Sequence, residues 1–306
     1  MTNSPNSPEY GTSVTLMPGL TRIIAPNPSP MTYWGTNTYI VGGDDVVVID
    51  PGPDEPAHLS ALLTALAGRR VVHILVTHSH VDHSALCTRL AAHTGANVLA
   101  FGESLAGRSA VMKNLVKQGL TTGGEGVDHG FQPDVRLADG AIIAGGWGDI
   151  SAIHTPGHMA NHMCFAWQDQ IFTGDHIMGW ASSLISPPDG DVTAFMQSCD
   201  RLRGFQAMQY LPGHGAPIEH PTARLDWIVQ HRHDREAQIR AALNAGHSTI
   251  GALTDSIYHD LDILLRPAAQ RNVFAHLIDL SGRGQVKATP GLGFHAKYEI
   301  LDPFKK

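Results

Sequence analysis

Only three cysteines, Cys87, Cys164 and Cys199, occur in 306 residues. The number is odd and the positions are scattered, which excludes a disulfide framework and a thiolate zinc cluster; they read as ordinary reduced thiols. Charge and aromatics are also sparse, at 16% and 7% of the chain, while 42% is apolar. That balance belongs to a globular protein rather than a disordered or fibrous one. No apolar run approaches the roughly 20 residues of a membrane span, and the opening Met1 to Ser13 lacks the basic region and apolar core of a secretory signal. The expectation is a cytoplasmic protein without membrane association. Basic excess is missing where it would matter for polyanions. Residues 1–220 hold 10 Lys and Arg against 19 Asp and Glu, a net −9, and residues 221–306 hold 11 against 9, a net +2. Nonspecific nucleic-acid binding is therefore disfavoured over most of the chain. Histidine is what the chain has in excess: 19 residues, many beside Gly, Asp or Pro, which directs attention to a metal site.

The length suggests one large domain with a smaller companion. The first 14 residues, rich in Pro, Ser and Asn, read as a loose segment. Short β-rich runs follow at 21–25, 37–41 and 45–49, separated by Gly42-Gly43 and by Asp50-Pro51-Gly52-Pro53, the pattern of hairpin-linked strands. Leu59, Leu62, Leu63 and Leu66 give residues 56–67 one buried helical face. The run at 71–76 is nearly all apolar and reads as a central strand, followed by a helix over 83–93. A helix over 103–118 and a long Gly-rich loop come next, and loops of that length are often functional. Strands at 150–154, 162–167, 170–172 and 208–211 surround a helix at 192–203. The fold class is α/β, a layered domain over 15–220 with two sheets. From 221 to 306 the texture turns helical, with helices over 222–244, 248–258 and 266–280 and a closing hairpin of 285–288 and 298–301. This tail resembles a winged-helix module.

The chemistry concentrates in Thr77-His78-Ser79-His80-Val81-Asp82-His83, directly after the central strand. Alternate side chains of an extended segment face the same way, so His78, His80 and Asp82 can converge, and the turn into the next helix can bring His83 beside them. Imidazole and carboxylate suit zinc, and iron or manganese as well. The later Gly157-His158, Gly174-Asp175 and Gly213-His214 each follow an apolar strand and precede a loop, where ligands from distant strands can meet.

The segment His78-Ser79-His80-Val81-Asp82-His83 resembles the His-x-His-x-Asp-His signature of the metallo-β-lactamase superfamily. Thr155-Pro156-Gly157-His158, Thr173-Gly174-Asp175 and Pro212-Gly213-His214-Gly215 resemble its later motifs, in order, over about residues 20–220. Within that superfamily the chain, tail included, is most similar to the β-lactamase-like protein 2 group, near glyoxalase II. The resemblance implies an αββα four-layer sandwich with a C-terminal winged-helix-like domain. It also implies two divalent metal ions, of which zinc is the leading identity. His78, His80 and His158 would hold one ion, Asp82, His83 and His214 the other, and Asp175 would bridge them. Flavodiiron members carry Glu where this chain has His80. Secreted β-lactamases typically lack the aspartate matched by Asp175, so neither activity is expected.

The expected function is metal-dependent hydrolysis, in which a metal-bridging hydroxide attacks a small ester, thioester or lactone. Alternatives are a ribonuclease or other phosphodiesterase, a single-iron sulfur dioxygenase, and a nonenzymatic nucleic-acid-binding module whose metal site is structural. Asp82 and Asp175 offset the cationic charge. His176 is a candidate proton donor or pocket residue, and Asp50 a candidate acceptor for a ligand imidazole. Tyr33, Trp34, Met178, Trp180 and residues 182–188 are candidates for the pocket rim, with packing favoured for Trp34. His231 and His233 read as surface residues. A small-molecule substrate is the expected partner; nucleic acid is not favoured, and a homodimer stays open.

Overall fold

The computed structural model describes residues 9–120, 123 and 126–301. The first sheet has seven strands in the order of the chain: β1 (Val14–Met17), β2 (Leu20–Ile24), β3 (Asn37–Gly42), β4 (Asp45–Ile49), β5 (Arg70–Leu75), β6 (Asn97–Ala100) and β7 (Val135–Arg136). Strands β1 to β4 form an antiparallel meander, and β4 to β7 run parallel. Helices α1 (Pro56–Ala65) and α3 (Cys87–Thr94) make the parallel crossovers, with the single turn α2 (Val81–Ser84) between them. The second sheet is the meander β8 (Ile142–Gly145), β9 (Gly148–His154), β10 (Met163–Trp167) and β11 (Gln170–Gly174), completed by β12 (Gln209–Pro212) parallel to β11.

Strand alternation divides the core into layers. Tyr39, Val41, Val47, Ile49 and Leu75 point between the sheets and meet Ile150, Phe165, Trp167, Phe172 and Leu211. Their neighbours Ile40, Val46, Val48 and Ile74 point outward onto Leu59 and Leu62 of α1 and Leu90 of α3. The outer face of the second sheet, with Ile153, Cys164, Ile171 and Tyr210, is covered by Phe195 and Cys199 of α5 (Val192–Leu202). Helix, sheet, sheet, helix is the four-layer order expected.

The last third comprises α6 (Pro221–Asn244), α7 (Ile250–Ile257), α8 (Arg266–Gly282) and the antiparallel hairpin β13 (Val286–Thr289) and β14 (Lys297–Ile300). It does not stand apart as an appendage. Leu225 and Ile228 of α6 and Ala275 of α8 belong to the same cluster as Phe195 and Cys199. Met112 and Leu115 of α4 (Ala110–Lys117) lie in the core of α6 to α8. Helix α8 is buried almost all round, from Ala269 through Asn272, Val273, Phe274, His276 and Leu277 to Leu280. Helix-turn-helix modules read DNA by laying an exposed helix in the major groove, and α8 is largely buried and leaves no such face free.

Several expectations need correction. The loose segment ends earlier, because Val14 already pairs with Arg22; residues 1–8 lie outside the described part. The helix expected over 83–93 is two pieces, because Leu86 N–H donates to Gly52 O across the fold at 3.1 Å and leaves the helical ladder. The helix expected over 103–118 begins only at Ala110, after Gly107, whose φ is 81° in the left-handed region a helix cannot contain. Part of the long loop that follows, 121, 122, 124 and 125, lies outside the described residues. Strands β1, β6, β7 and β8 were not expected. Among the described residues no helix is long and apolar enough to cross a membrane.

Because Ile228 is fully buried between the layered domain and the tail, Ile228→Ala should destabilise the whole chain by about 2–5 kcal/mol. Urea unfolding should show one cooperative transition at lower midpoint. Two separated transitions, with only the tail weakened, would contradict a shared core.

Candidate metal centre

The site lies where the ends of β4, β5, β11 and β12 meet. Strand β4 ends at Ile49, and Asp50 turns out of it with φ 51°. Its buried carboxylate accepts Thr77 N–H and Thr77 Oγ1–H, both at 2.7 Å, and His83 Nδ1–H at 2.8 Å. One side chain thereby fixes both the exit of β5 and the imidazole of α2.

Four of the five histidines commit one ring nitrogen outward. His78 Nδ1 donates to Thr77 Oγ1 (3.0 Å), His83 to Asp50, His158 to Leu184 O (2.6 Å) and His214 to Gly35 O (3.1 Å). Each is left with Nε2 facing the centre, the tautomer a metal ligand needs. His80 instead turns Nδ1 inward, 3.0 Å from His78 Nε2 and 3.1 Å from His158 Nε2.

The inward atoms form two groups. His78, His80, His158 and Asp175 are one, and Asp82, His83 and His214 the other. Asp175 faces both: Oδ2 lies 3.9 Å from His78 and 3.7 Å from His158, while Oδ1 lies 3.4 Å from His83 and 3.3 Å from His214. In the second group His83 and His214 are 3.3 Å apart, and Asp82 Oδ2 is 3.2 Å from His214 and 3.6 Å from His83. These spacings bracket the edge of a tetrahedron with bonds of about 2.0–2.1 Å, roughly 3.3 Å. Asp175 Oδ1 is buried and makes no hydrogen bond among the described residues; in the metal-free chain the rings of His83 and His214 at 3.4 and 3.3 Å offset its charge, a place a divalent cation would take when those rings turn neutral. The donor set therefore fits divalent metal. All seven residues expected as ligands are brought together.

Two glycines explain why these motifs read Gly-Asp and Gly-His. A Cβ on Gly213 would lie 2.6 Å from Asp175 Oδ1 and from His83 Cε1; one on Gly174, whose φ is 46°, would lie 2.7 Å from His162 Nε2 and 2.8 Å from Thr77 Oγ1. Only a bare backbone lets the ligands approach this closely.

The two groups differ electrostatically. Burial, joined by His158, pushes His80 down to about 3, and burial likewise lowers His78 and His158. Burial also acts on His214 and His83, but the charges of Asp175 and Asp82 outweigh it, raising His83 and holding His214 at about 9. Asp82 and Asp175 are held well below the usual carboxylate range, the imidazoles outweighing burial.

His176 departs from expectation. It is fully buried, with Nε2 3.6 Å from Cys199 Sγ and its ring 4.4 Å from that of Phe195. Burial holds it down to about 3. It faces the core behind Asp175 and does not line the cavity over the metal groups, so it is neither a pocket residue nor a proton donor to one. His233 is exposed, but His231 is half-buried, its ring stacked 5.1 Å from Trp227.

A cavity of about 430 Å³ opens over both groups, reaching His80, Asp82, His158 and Asp175. Met31, Val81, Met178, Trp180, Leu184 and Leu265 supply much of its wall. Of the expected rim residues, Met178, Trp180, Ser182 and Ser186 line it, whereas Tyr33 is stacked between Trp34 (4.9 Å) and Trp180 (5.0 Å) as backing. Sequence reasoning missed Met31, Val81 and Leu265, which carry no chemical signal, and Arg224 and Arg232, which act through backbone oxygens.

Residues 31–214 match the family model described as Metallo-beta-lactamase superfamily, and residues 249–293 match the Beta-lactamase associated winged helix domain. The chain is 29% identical to the Beta-lactamase-like protein 2 homolog of Caenorhabditis elegans over 89% of its own length and 87% of the relative's. It is 29% identical to the atrochrysone carboxyl ACP thioesterase of Aspergillus fumigatus over 78% and 68%. Among solved structures, a beta-lactamase domain protein from Burkholderia ambifaria superposes with TM-score 0.78 at 20% identity, over 97% of this chain and 96% of that one. A metallo-beta-lactamase family protein from Thermus thermophilus gives 0.75 at 24%, over 94% and 100%. With the His/Asp cluster, the four layers and a family match over most of its length, the chain belongs to the metallo-beta-lactamase superfamily, as a metal-dependent hydrolase carrying the associated winged-helix domain.

Proposed function

We propose that the protein hydrolyses esters or thioesters with an apolar acyl or aryl group, using two divalent metal ions. One would be held by His78, His80 and His158, the other by Asp82, His83 and His214, with Asp175 between them. The observation that carries this reading is the cavity: its wall is largely apolar, it holds no Lys or Arg among the described lining residues, and its floor is the ligand cluster. Beyond the metal ions, a phosphodiester chain would find no Lys or Arg among the described lining residues to hold its backbone, which disfavours a ribonuclease. The buried α8 disfavours a nucleic-acid-binding module. The thioesterase name of the Aspergillus relative agrees with a thioester substrate.

Bound divalent ions supply hydroxide at neutral pH and polarise an acyl oxygen. The protein's own part is positional. Asp50, Thr77, Leu184 O and Gly35 O fix the ligand rings, and Asp82 and Asp175 offset the cationic charge. Met178, Trp180 and Leu184 would exclude water from one side of an acyl chain and align its carbonyl over the cluster. With His176 facing the core and Asp82 held ionised, the leaving group's proton would come from solvent.

A screen of p-nitrophenyl esters and acyl thioesters of increasing chain length, against single-stranded RNA, tests the substrate class. Turnover should rise from acetyl to medium-length apolar acyl groups and be absent on RNA. RNA cleavage without acyl hydrolysis would reverse the assignment.

Asp175→Ala should lower metal content and reduce turnover more than about 100-fold. Two tightly held ions and full activity in that variant would remove Asp175 from its place between the metals.

Proton release should distinguish the two metal positions. In the metal-free protein at pH 7, His78, His80 and His158 are already neutral, whereas His83 and His214 are protonated. Ligation needs neutral imidazole, so binding at the second position releases protons. Affinity there climbs as pH rises toward about 9, while affinity at the first stays nearly flat over the same range, because burial already holds His78, His80 and His158 neutral. Calorimetric zinc titrations in buffers of different ionisation enthalpy would count the protons; equal release at both steps contradicts the assignment.

A further inference from the structure

Residues Met178 to Leu184 cross the mouth of the site without helix or strand, yet they supply Met178, Trp180, Ser182 and Leu184 to the cavity wall. The segment is half-buried, with Met178 and Ser183 buried, and without helix or strand its shielded carbonyls must find partners outside it. Two arginines of α6 provide them. Arg224 donates from Nε to Met178 O at 2.7 Å and from Nη2 to Ala181 O at 2.8 Å. Arg232 donates from Nη2 to Ser183 O and from Nη1 to Asn272 Oδ1 at 2.9 Å.

Arg232 is 2% exposed. No carboxylate pairs with it among the described residues; Phe195 lies under its guanidinium at 5.0 Å. Burying a cation without a counter-ion is strongly unfavourable, and an apolar side chain would fill the same space at lower free energy if packing were its whole role. What this cation holds adjoins the metal ligands. Ser183 Oγ lies 2.5 Å from Asp175 O and 2.7 Å from His176 O, and the next residue, Leu184, provides the carbonyl that orients His158.

We infer that Arg224 and Arg232 are positioning residues: through the carbonyls of 178–183 they set both the cavity wall and the orientation of His158. Helix α6 and the unit it begins are thereby part of the active site. Leu265, from the 3-10 turn Ile263–Leu265 before α8, closes the cavity from the same unit.

Hydrogen exchange of the metal-free full chain and zinc competition with a chelator test this. In Arg224→Gln, amides of 178–188 should exchange roughly ten-fold faster or more, the scale of a lost charge-assisted hydrogen bond, while β3 to β5 keep their protection. Arg232→Met should do the same and weaken one of two zinc ions about 10–100-fold, as expected when a ligand loses its orienting acceptor. Where Arg232→Met gives no folded protein, Arg232→Lys carries the same expectation, since it keeps the charge and loses the fork. The KM for a medium-chain acyl thioester should rise more than kcat falls in Arg224→Gln; that measurement rests on the hydrolase reading, and the other two do not. Lower stability with unchanged 178–188 exchange and unchanged zinc affinity would reduce both arginines to structural residues. Inactivity of the unmodified enzyme on every acyl substrate would defeat the hydrolase reading and leave exchange and zinc binding to decide this one.

Discussion

The carboxylate of Asp50 is the constraint on which the site depends. It sits in the left-handed region at the end of β4 and accepts three hydrogen bonds from Thr77 and His83. Through Thr77 Oγ1 its hold reaches Nδ1 of His78. One buried anion thus fixes two imidazoles, one in each ligand group, and joins two parallel strands at the end where they open. Without it, the His-x-His-x-Asp-His segment would be a polar loop with several rotamers per ring. With it, the ring nitrogens are set before any ion arrives.

Around that anchor the site is assembled from both sheets. The first sheet brings His78, His80, Asp82 and His83 on one continuous stretch; the second brings Asp175 from the end of β11 and His214 from the end of β12. The sheets face each other across one apolar layer, so the ligands meet only because the strand ends coincide. The price of this convergence is steric crowding, relieved at Gly174 and Gly213. The third contribution comes from α6, whose arginines reach across to the segment between β11 and α5.

How much of this was legible in the sequence depends on the kind of interaction. The ligand motif could be read because an extended chain places alternate side chains together, and because imidazoles and carboxylates have few other reasons to cluster. Strands β3, β4 and β5 could be read as β-rich or apolar runs, but their inner and outer faces could not, because residues on both faces are apolar and buried. The break between α2 and α3 could not be read, since it arises from a main-chain bond to Gly52, which leaves no mark on residue type. The same holds for Arg224 and Arg232: their acceptors are carbonyl oxygens, which every residue has. His176 misled because adjacency to Asp175 along the chain says little about direction; one residue on, the side chain points into the opposite layer. Helix α8 hid its position because its polar residues are spread around it and Arg271, Asn272 and His276 are buried along with Val273, Phe274 and Leu277, so no amphipathic stripe betrayed what it packs against.

The entombment of α8 has a broader meaning. Helix α8 faces inward along most of its length, and Leu265 at its threshold meets the cavity. The cavity wall is thus drawn from both parts of the chain, Met178, Trp180 and Leu184 from the layered domain and Leu265 from the unit behind it. A substitution at Leu265, far downstream of the histidines, alters that wall without replacing a ligand residue.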